Sequence, residues 1–202
     1  MDSTLNIDIA SYELPCDGET KSGDLCFTQY DENSDLLFMA MIDVAGHGQA
    51  AFELAEVIRT FFQTVDLFDG LDDIAQTLHE YISGSRGCAG SFCHLNLTSR
   101  AIQYVGVGNT RGRIIGETSR HFVNKDGIIG YRMPRLKLQT ARISRGDLLI
   151  LYSDGVKEFF SVDELPDKDQ IFHEDVATIA YNIIKKFGKI TDDSTCLVVK
   201  MK

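Results

Sequence analysis

Apolar positions recur along this chain with two periods, and the two divide it into strands and helices. Strand-length runs rich in Val, Ile, Leu and Phe occupy residues 6–14, 24–30, 36–43, 88–97, 101–107, 113–115, 138–143, 147–153 and 195–200. Turn-forming clusters separate them, among them Asp31-Glu32-Asn33-Ser34, Thr98-Ser99-Arg100 and Arg145-Gly146-Asp147. Three other stretches carry apolar residues at spacings of three and four, which predicts amphipathic helices. The first, over 50–65, shows Ala51, Leu54, Ala55, Ile58, Phe61 and Phe62. The second, over 72–82, shows Ile74, Ala75, Leu78, Tyr81 and Ile82, with Asp72 and Asp73 at the end where the helix dipole favours acids. The third runs from Val176 through Ile179, Ala180, Ile183 and Ile184 to Phe187, with Gly188 as the expected C-cap. All three stripes read as core packing.

The resulting order is strands, two adjacent helices, many more strands, one helix and a last strand. Strands and helices do not alternate, so a doubly wound parallel sheet is not expected; segregated helices packed on antiparallel sheets are, which makes the class α+β. With only three Pro, no repeat and no low-complexity stretch, nothing reads as a linker, and residues 1–202 are expected to form a single domain.

Charge and composition narrow the function. The chain has 202 residues, 20 Lys and Arg against 30 Asp and Glu, and a formal net charge of −10. That balance argues against nucleic acid or an anionic membrane as partner. The longest apolar run, 36–42, is strand-length and far short of the roughly 18 residues of a membrane span. The start, Met1-Asp2-Ser3-Thr4, lacks the basic-then-apolar order of a signal peptide. Five Cys without a C-x-x-C pair suit a reducing compartment. A cytoplasmic protein is the expectation.

The acids are not scattered evenly. Asp43 ends the apolar run 36–42 and leads into Val44-Ala45-Gly46-His47-Gly48; Asp154 ends 148–153 and is followed by Gly155. Asp192 and Asp193 precede the last strand, and Asp24 opens a strand after Ser22-Gly23. Each alone is explained by a turn, a cap or a solvated tip. Together, carboxylates gathered at the ends of buried strands would repel one another and be costly to desolvate, and divalent cations remove that cost. Oxygen ligands without His or Cys in ligand spacing favour Mg²⁺ or Mn²⁺ over Zn²⁺.

In order, Asp43-Val44-Ala45-Gly46-His47-Gly48, Tyr152-Ser153-Asp154-Gly155-Val156 and Asp192-Asp193-Ser194-Thr195 resemble the signatures of the metal-dependent PPM (type 2C) serine/threonine protein phosphatases. The similarity is greatest to the bacterial SpoIIE-like branch with its stand-alone RsbX-like members; Ser22-Gly23-Asp24 and Gly108-Asn109 match that branch's Gly-Asp and Gly-Asn motifs. No single piece is specific, but the ordered set is. The resemblance implies two antiparallel sheets packed face to face with helices outside, and two Mn²⁺ or Mg²⁺ ions bridged by water. It implies Asp43 as the bridging carboxylate, the carbonyl of Val44 as a ligand, and Asp154 and Asp192 at the second metal. Asp24 would bind a metal or orient its water, and Asp193, which stands where relatives often carry Asn, is implied as a further metal ligand beside Asp192. Asp24, Asp43 and Asp154 are thereby the expected catalytic residues. The implied substrate is phosphoserine or phosphothreonine on a regulatory partner, a STAS-domain anti-sigma antagonist or stressosome component.

Two departures stand out. Eukaryotic members use an N-terminal Arg for phosphate, whereas the first Arg here is Arg59 in a predicted helix and Lys21 is the one cation shortly before Asp24. His47 lies four residues beyond Asp43, which favours loop positioning over general acid. The segment 126–135 reads as a solvated spacer, the alternative being a loop beside the substrate. Arg132, Arg135, Lys137, Arg142 and Arg145 read as a solvated face or one that meets an acidic partner. The sequence Gly106-Val107-Gly108-Asn109 imitates a dinucleotide fingerprint, but no helical stripe follows it. The other functional class to weigh is an inactive PPM-fold module that acts by docking; loss of a metal-binding Asp would favour it, and none is lost.

Overall fold

The computed structural model describes residues 6–116, 119–158, 160–161 and 172–202. Among these, the elements follow in the order β1 (Ile7–Leu14), β2 (Asp24–Asp31), β3 (Leu36–Val44), α1 (Gln49–Thr64), α2 (Leu71–Tyr81), β4 (Cys88–Asn96), β5 (Ala101–Val107), β6 (Arg111–Ile115), β7 (Arg120–His121), β8 (Gln139–Arg142), β9 (Leu148–Tyr152), α3 (Val176–Phe187) and β10 (Ser194–Met201). They make two five-stranded sheets, ordered β1-β10-β9-β6-β7 and β2-β3-β4-β5-β8, with every strand pair antiparallel.

The period of two decides the layers. Along β3, Leu37, Met39 and Met41 pack with Leu149, Leu151, Leu197 and Val199 of the opposite sheet. The alternate residues Phe38, Ala40, Ile42 and Val44 pack with Ile58 and Phe62 of α1 and with Ile74 and Leu78 of α2. A strand covered on both faces is apolar without interruption, as 36–42 is. On the other sheet, Ile150, Tyr152, Cys196 and Val198 turn outward to the stripe of α3. The result is helices, sheet, sheet, helix: the α+β sandwich expected from the sequence.

Differences are local. β6 begins two residues before the apolar run, and β7 is two residues long, too short to carry a period. Gly188 does cap α3, but with φ −67° rather than in the left-handed region. Its need for glycine is steric, since a Cβ there would stand 2.5 Å from the Ile184 carbonyl oxygen. Asp175 caps the other end, its carboxylate accepting from Thr178 N at 2.9 Å. The five Cys are free thiols. Among the described residues, no helix is long and apolar enough to cross a membrane.

Candidate metal centre

Parity places the acids between the sheets. Asp43 shares the face of Met39 and Met41, so its carboxylate points into the seam of the sandwich where β3 runs out. Asp24, at the start of β2, is its direct register partner. Like charges directly opposite one another destabilise a sheet. From the opposite sheet, Ser153 and Thr195 reach the same end of the seam, paired by Thr195 N donating to Ser153 Oγ at 2.9 Å and Ser153 N donating to Thr195 O at 3.1 Å. Asp154 and Asp192 stand in the loops that leave β9 and enter β10. The sequence-expected acids thus come together from four strand ends of two sheets.

Their electrostatics show uncompensated charge. Asp24 is 4% exposed, and its Oδ2 has no hydrogen-bond partner. Burial, and then the charge of Asp43, push its carboxyl well above the usual range, against the nearby hydroxyls of Ser153 and Thr195. Asp43 is pushed up to about 8, first by burial and then by Asp154 and Asp192. Burial and Asp154 also raise Asp192. Asp154 thus faces both Asp43 and Asp192, and its carboxylate disfavours charge on each of them. Among the described residues, no three His, Cys, Asp or Glu side chains already form a cage that could hold an ion; the acids approach in pairs. An orphaned buried carboxylate oxygen and an all-oxygen donor set fit a hard divalent cation.

Asp193 is engaged differently. Its Oδ1 accepts from Cys16 N at 2.8 Å and its Oδ2 from Gly23 N at 2.7 Å. It therefore clamps the residue before Asp24 to the start of β10. Gly23 must be glycine, because a Cβ there would lie 2.6 Å from Ala51 Cβ in α1 and 3.2 Å from Gly46 O. Val44 N donates to Gly23 O at 3.3 Å, so the same tripeptide also steadies the end of β3. His47 is exposed and bonds Glu19 at 3.2 Å.

A cavity of about 690 Å³ opens beside the acids, lined by Asp43, Ala45, Asn109, Arg111, Asn124 and Ile128 among others. A smaller one of about 180 Å³, lined by Asn109, Asp154 and Lys189, adjoins it through shared residues Asn109, Arg111 and Glu158. The segment 126–135 is no solvated spacer: Ile129 is buried and pairs with Cys88, and Asp126, Gly127 and Ile128 wall the cavity.

Sequence reasoning matched Asn109 to a motif without giving it a partner, and missed the cations around the acids. Asn109 Nδ2 donates to Asp154 Oδ2. Lys189 Nζ donates to the Asp154 carbonyl, Arg86 Nη1 to the Ala45 carbonyl at 2.9 Å, and Arg111 pairs with Glu158 at 2.7 Å. Arg86 and Ala45 are separated by 41 positions, so no local pattern could have joined them. Lys21, the cation the sequence offered, lies over the Phe52 ring at 4.2 Å.

A family model described as Stage II sporulation protein E (SpoIIE) matches residues 33–202, a range that begins after Asp24. No curated protein matches the chain. Among solved structures, a chain reported under "The bacterial stressosome: a modular system that has been adapted to control secondary messenger signaling" is 26% identical, with a TM-score of 0.84 over 96% of this chain and 99% of that one. RsbX in complex with magnesium is 22% identical, with a TM-score of 0.79 over 97% and 96% of the two chains. The PP2C phosphatase domain of SpoIIE from Bacillus subtilis, with a fragment of its regulatory domain, is 18% identical, with a TM-score of 0.76 over 97% of this chain and 62% of that one. The last two likenesses are of fold. With the family model spanning most of its length and the acid-bearing sandwich in place, the chain belongs to the SpoIIE family and has the fold of the PPM phosphatases.

Proposed function

We propose that this chain, as a single domain, is a metal-dependent protein serine/threonine phosphatase, hydrolysing phosphoserine or phosphothreonine on a regulatory partner. The observation that carries the reading is the convergence of Asp24 and Asp43 from one sheet with Asp154 and Asp192 from the other, beside an open cavity. Two Mn²⁺ or Mg²⁺ ions held there would supply a water activated for attack and positive charge against the phosphoryl oxygens. Asp24, Asp43, the Val44 carbonyl, Asp154 and Asp192 are the groups that would hold them.

The remaining work falls to this chain's own groups. Asp24, buried and carrying an orphaned oxygen, would offer that oxygen to a metal or to its water at the base of the site. Asn109 fixes the rotamer of Asp154 through its amide, and Lys189 fixes the backbone at the same residue. Asp193 sets the position of Asp24 through Gly23 and needs no metal contact to do so. The larger cavity accepts the chain on either side of the phosphorylated residue. The likeness to RsbX with magnesium supports Mg²⁺, and the likeness to a stressosome structure supports a regulatory partner; by the family resemblance that partner would be a STAS-domain phosphoprotein met in the cytoplasm.

The test is hydrolysis of para-nitrophenyl phosphate with Mn²⁺. Asp43→Asn and Asp154→Asn are expected to lower the rate at least about a hundred-fold. Equal rates for wild type and both variants, or a rate indifferent to metal, would sink the enzyme reading.

A further inference from the structure

The acidic excess is interrupted once. Residues 120–145 hold seven Lys and Arg against a single acid, Asp126, in a chain whose net charge is −10. Tertiary structure splits this run in two. Arg142 is in register with Ala101, at the start of β5, and Arg145 Nε donates to the Lys202 carbonyl at 2.6 Å; both lie at the end of the sandwich away from the acids.

Arg120 lies over the ring of Phe122, a wall residue, at 5.6 Å, and the other four cations stand on the segment that supplies the walls Val123, Asn124, Asp126, Gly127 and Ile128. Lys125 bridges Val107 at the site end of β5, and Ile128 N donates to Arg132 O at 2.9 Å. Gly127, a wall residue, has room for no Cβ because Arg132 O would be 2.7 Å away and Pro134 Cδ 2.6 Å. The Gln139 amide holds Val123 by two bonds, donating to Val123 O at 2.8 Å and accepting from Val123 N at 3.0 Å. Chain 123–139 is thus one tied lip, and Arg132, Arg135 and Lys137 are exposed on it. Arg86, bonded to Ala45 O, continues the lip to the loop that follows Asp43. Among the described residues, Lys125, Arg132, Arg135 and Lys137 make no ion pair with a carboxylate. Between them stand apolar side chains in water, Tyr131 at 79% and Val123 at 70% exposure. An exposed Tyr beside Arg side chains that make no ion pair is the composition of a binding face rather than of a solvated one.

We propose that this lip is the docking surface for the phosphoprotein, and that it selects a partner whose phosphorylated segment is flanked by Asp and Glu. The inference rests on the phosphatase reading above and names the class of its substrate. The acids elsewhere on the chain repel such a partner, so the lip also sets its orientation, with the phosphorylated residue directed toward Asp43.

The experiment compares two short phosphoserine peptides, one flanked by Asp and Glu and one by Lys, hydrolysed by wild type and by Arg132→Glu/Arg135→Glu. Wild type is expected to prefer the acid-flanked peptide in kcat/KM, and the ratio of the two values to fall about ten-fold in the variant. The milder Arg132→Gln/Arg135→Gln pair should lower the ratio in the same direction. About 1 M salt, where the Debye length is about 3 Å, should erase the preference. A wild type without preference, or a ratio unchanged in both variants, overturns the proposal. If para-nitrophenyl phosphate and both peptides all resist hydrolysis, the phosphatase reading fails by itself, and docking is decided by fluorescence anisotropy of the acid-flanked peptide. Weaker binding by the charge-reversed variant then supports the lip, and equal binding overturns it. Binding of single-stranded RNA without binding of the acid-flanked peptide also overturns it.

Discussion

Asp193→Ala tests the carboxylate that clamps Gly23 apart from the acids proposed to hold metal. The Asp193 side chain is buried and accepts two backbone N–H groups, from Cys16 at 2.8 Å and Gly23 at 2.7 Å. Hydrogen bonds to a charged acceptor contribute about 1.5–3 kcal/mol each, and truncation also leaves two buried donors unmet. Water entering the space left by the carboxylate offsets part of that, so the expected loss is ~4 kcal/mol, a large share of a typical ~5–15 kcal/mol. For a chain of this size, that corresponds to a fall in Tm of about 8–16 °C. The assay is equilibrium unfolding in denaturant with EDTA present, so that no metal contributes. Asp126→Ala, at an exposed residue, is the control and should change stability by no more than ~0.5 kcal/mol. Asp192→Ala provides the contrast: burial and Asp154 disfavour its charge, so its removal should leave the metal-free protein as stable or more so. An Asp193→Ala loss below ~1 kcal/mol would refute the clamp.

Two further outcomes follow from the same geometry. Asp43 is held at about 8, above its value in the unfolded chain, so the metal-free folded state keeps a proton that the unfolded state releases. That stability is complete below about pH 4 and is lost as pH rises through about 8. Relative to Asp43→Asn, whose amide cannot ionise, metal-free wild type should lose unfolding free energy between pH 5 and pH 8.5 and regain it with Mn²⁺; a difference that stays flat with pH would contradict the repulsion. Gly23→Ala puts a Cβ 2.6 Å from Ala51 Cβ, at an expected cost of about 1–3 kcal/mol. Because α1 must shift from the Asp24 turn, kcat for para-nitrophenyl phosphate should fall as well; unchanged stability would show that the helix yields freely.

The pattern of apolar and polar residues was enough to determine nine of the ten described strands, the α+β class and the central place of 36–43, whose unbroken apolar run marks a strand buried on both faces. It also placed Asp24, Asp43, Asp154 and Asp192 at strand ends, where register and parity bring them to one seam. It could not tell Asp193 from Asp192. Adjacent residues of one type differ only in which way the backbone turns them, and here one carboxylate meets Cys16 and Gly23 across the fold while the other meets Asp154. The sequence read 126–135 as a spacer because its Gly and Pro residues break every period; the structure instead packs Ile129 against Cys88. Arg86, Asn109 and Lys189 acquire their places from partners 35 to 45 positions away. Charge told a similar story, since a run of seven cations is one feature on paper and two in space. Local pattern fixes which residues leave the core, but which of them meet depends on contacts between sheets, and only tertiary structure decides those.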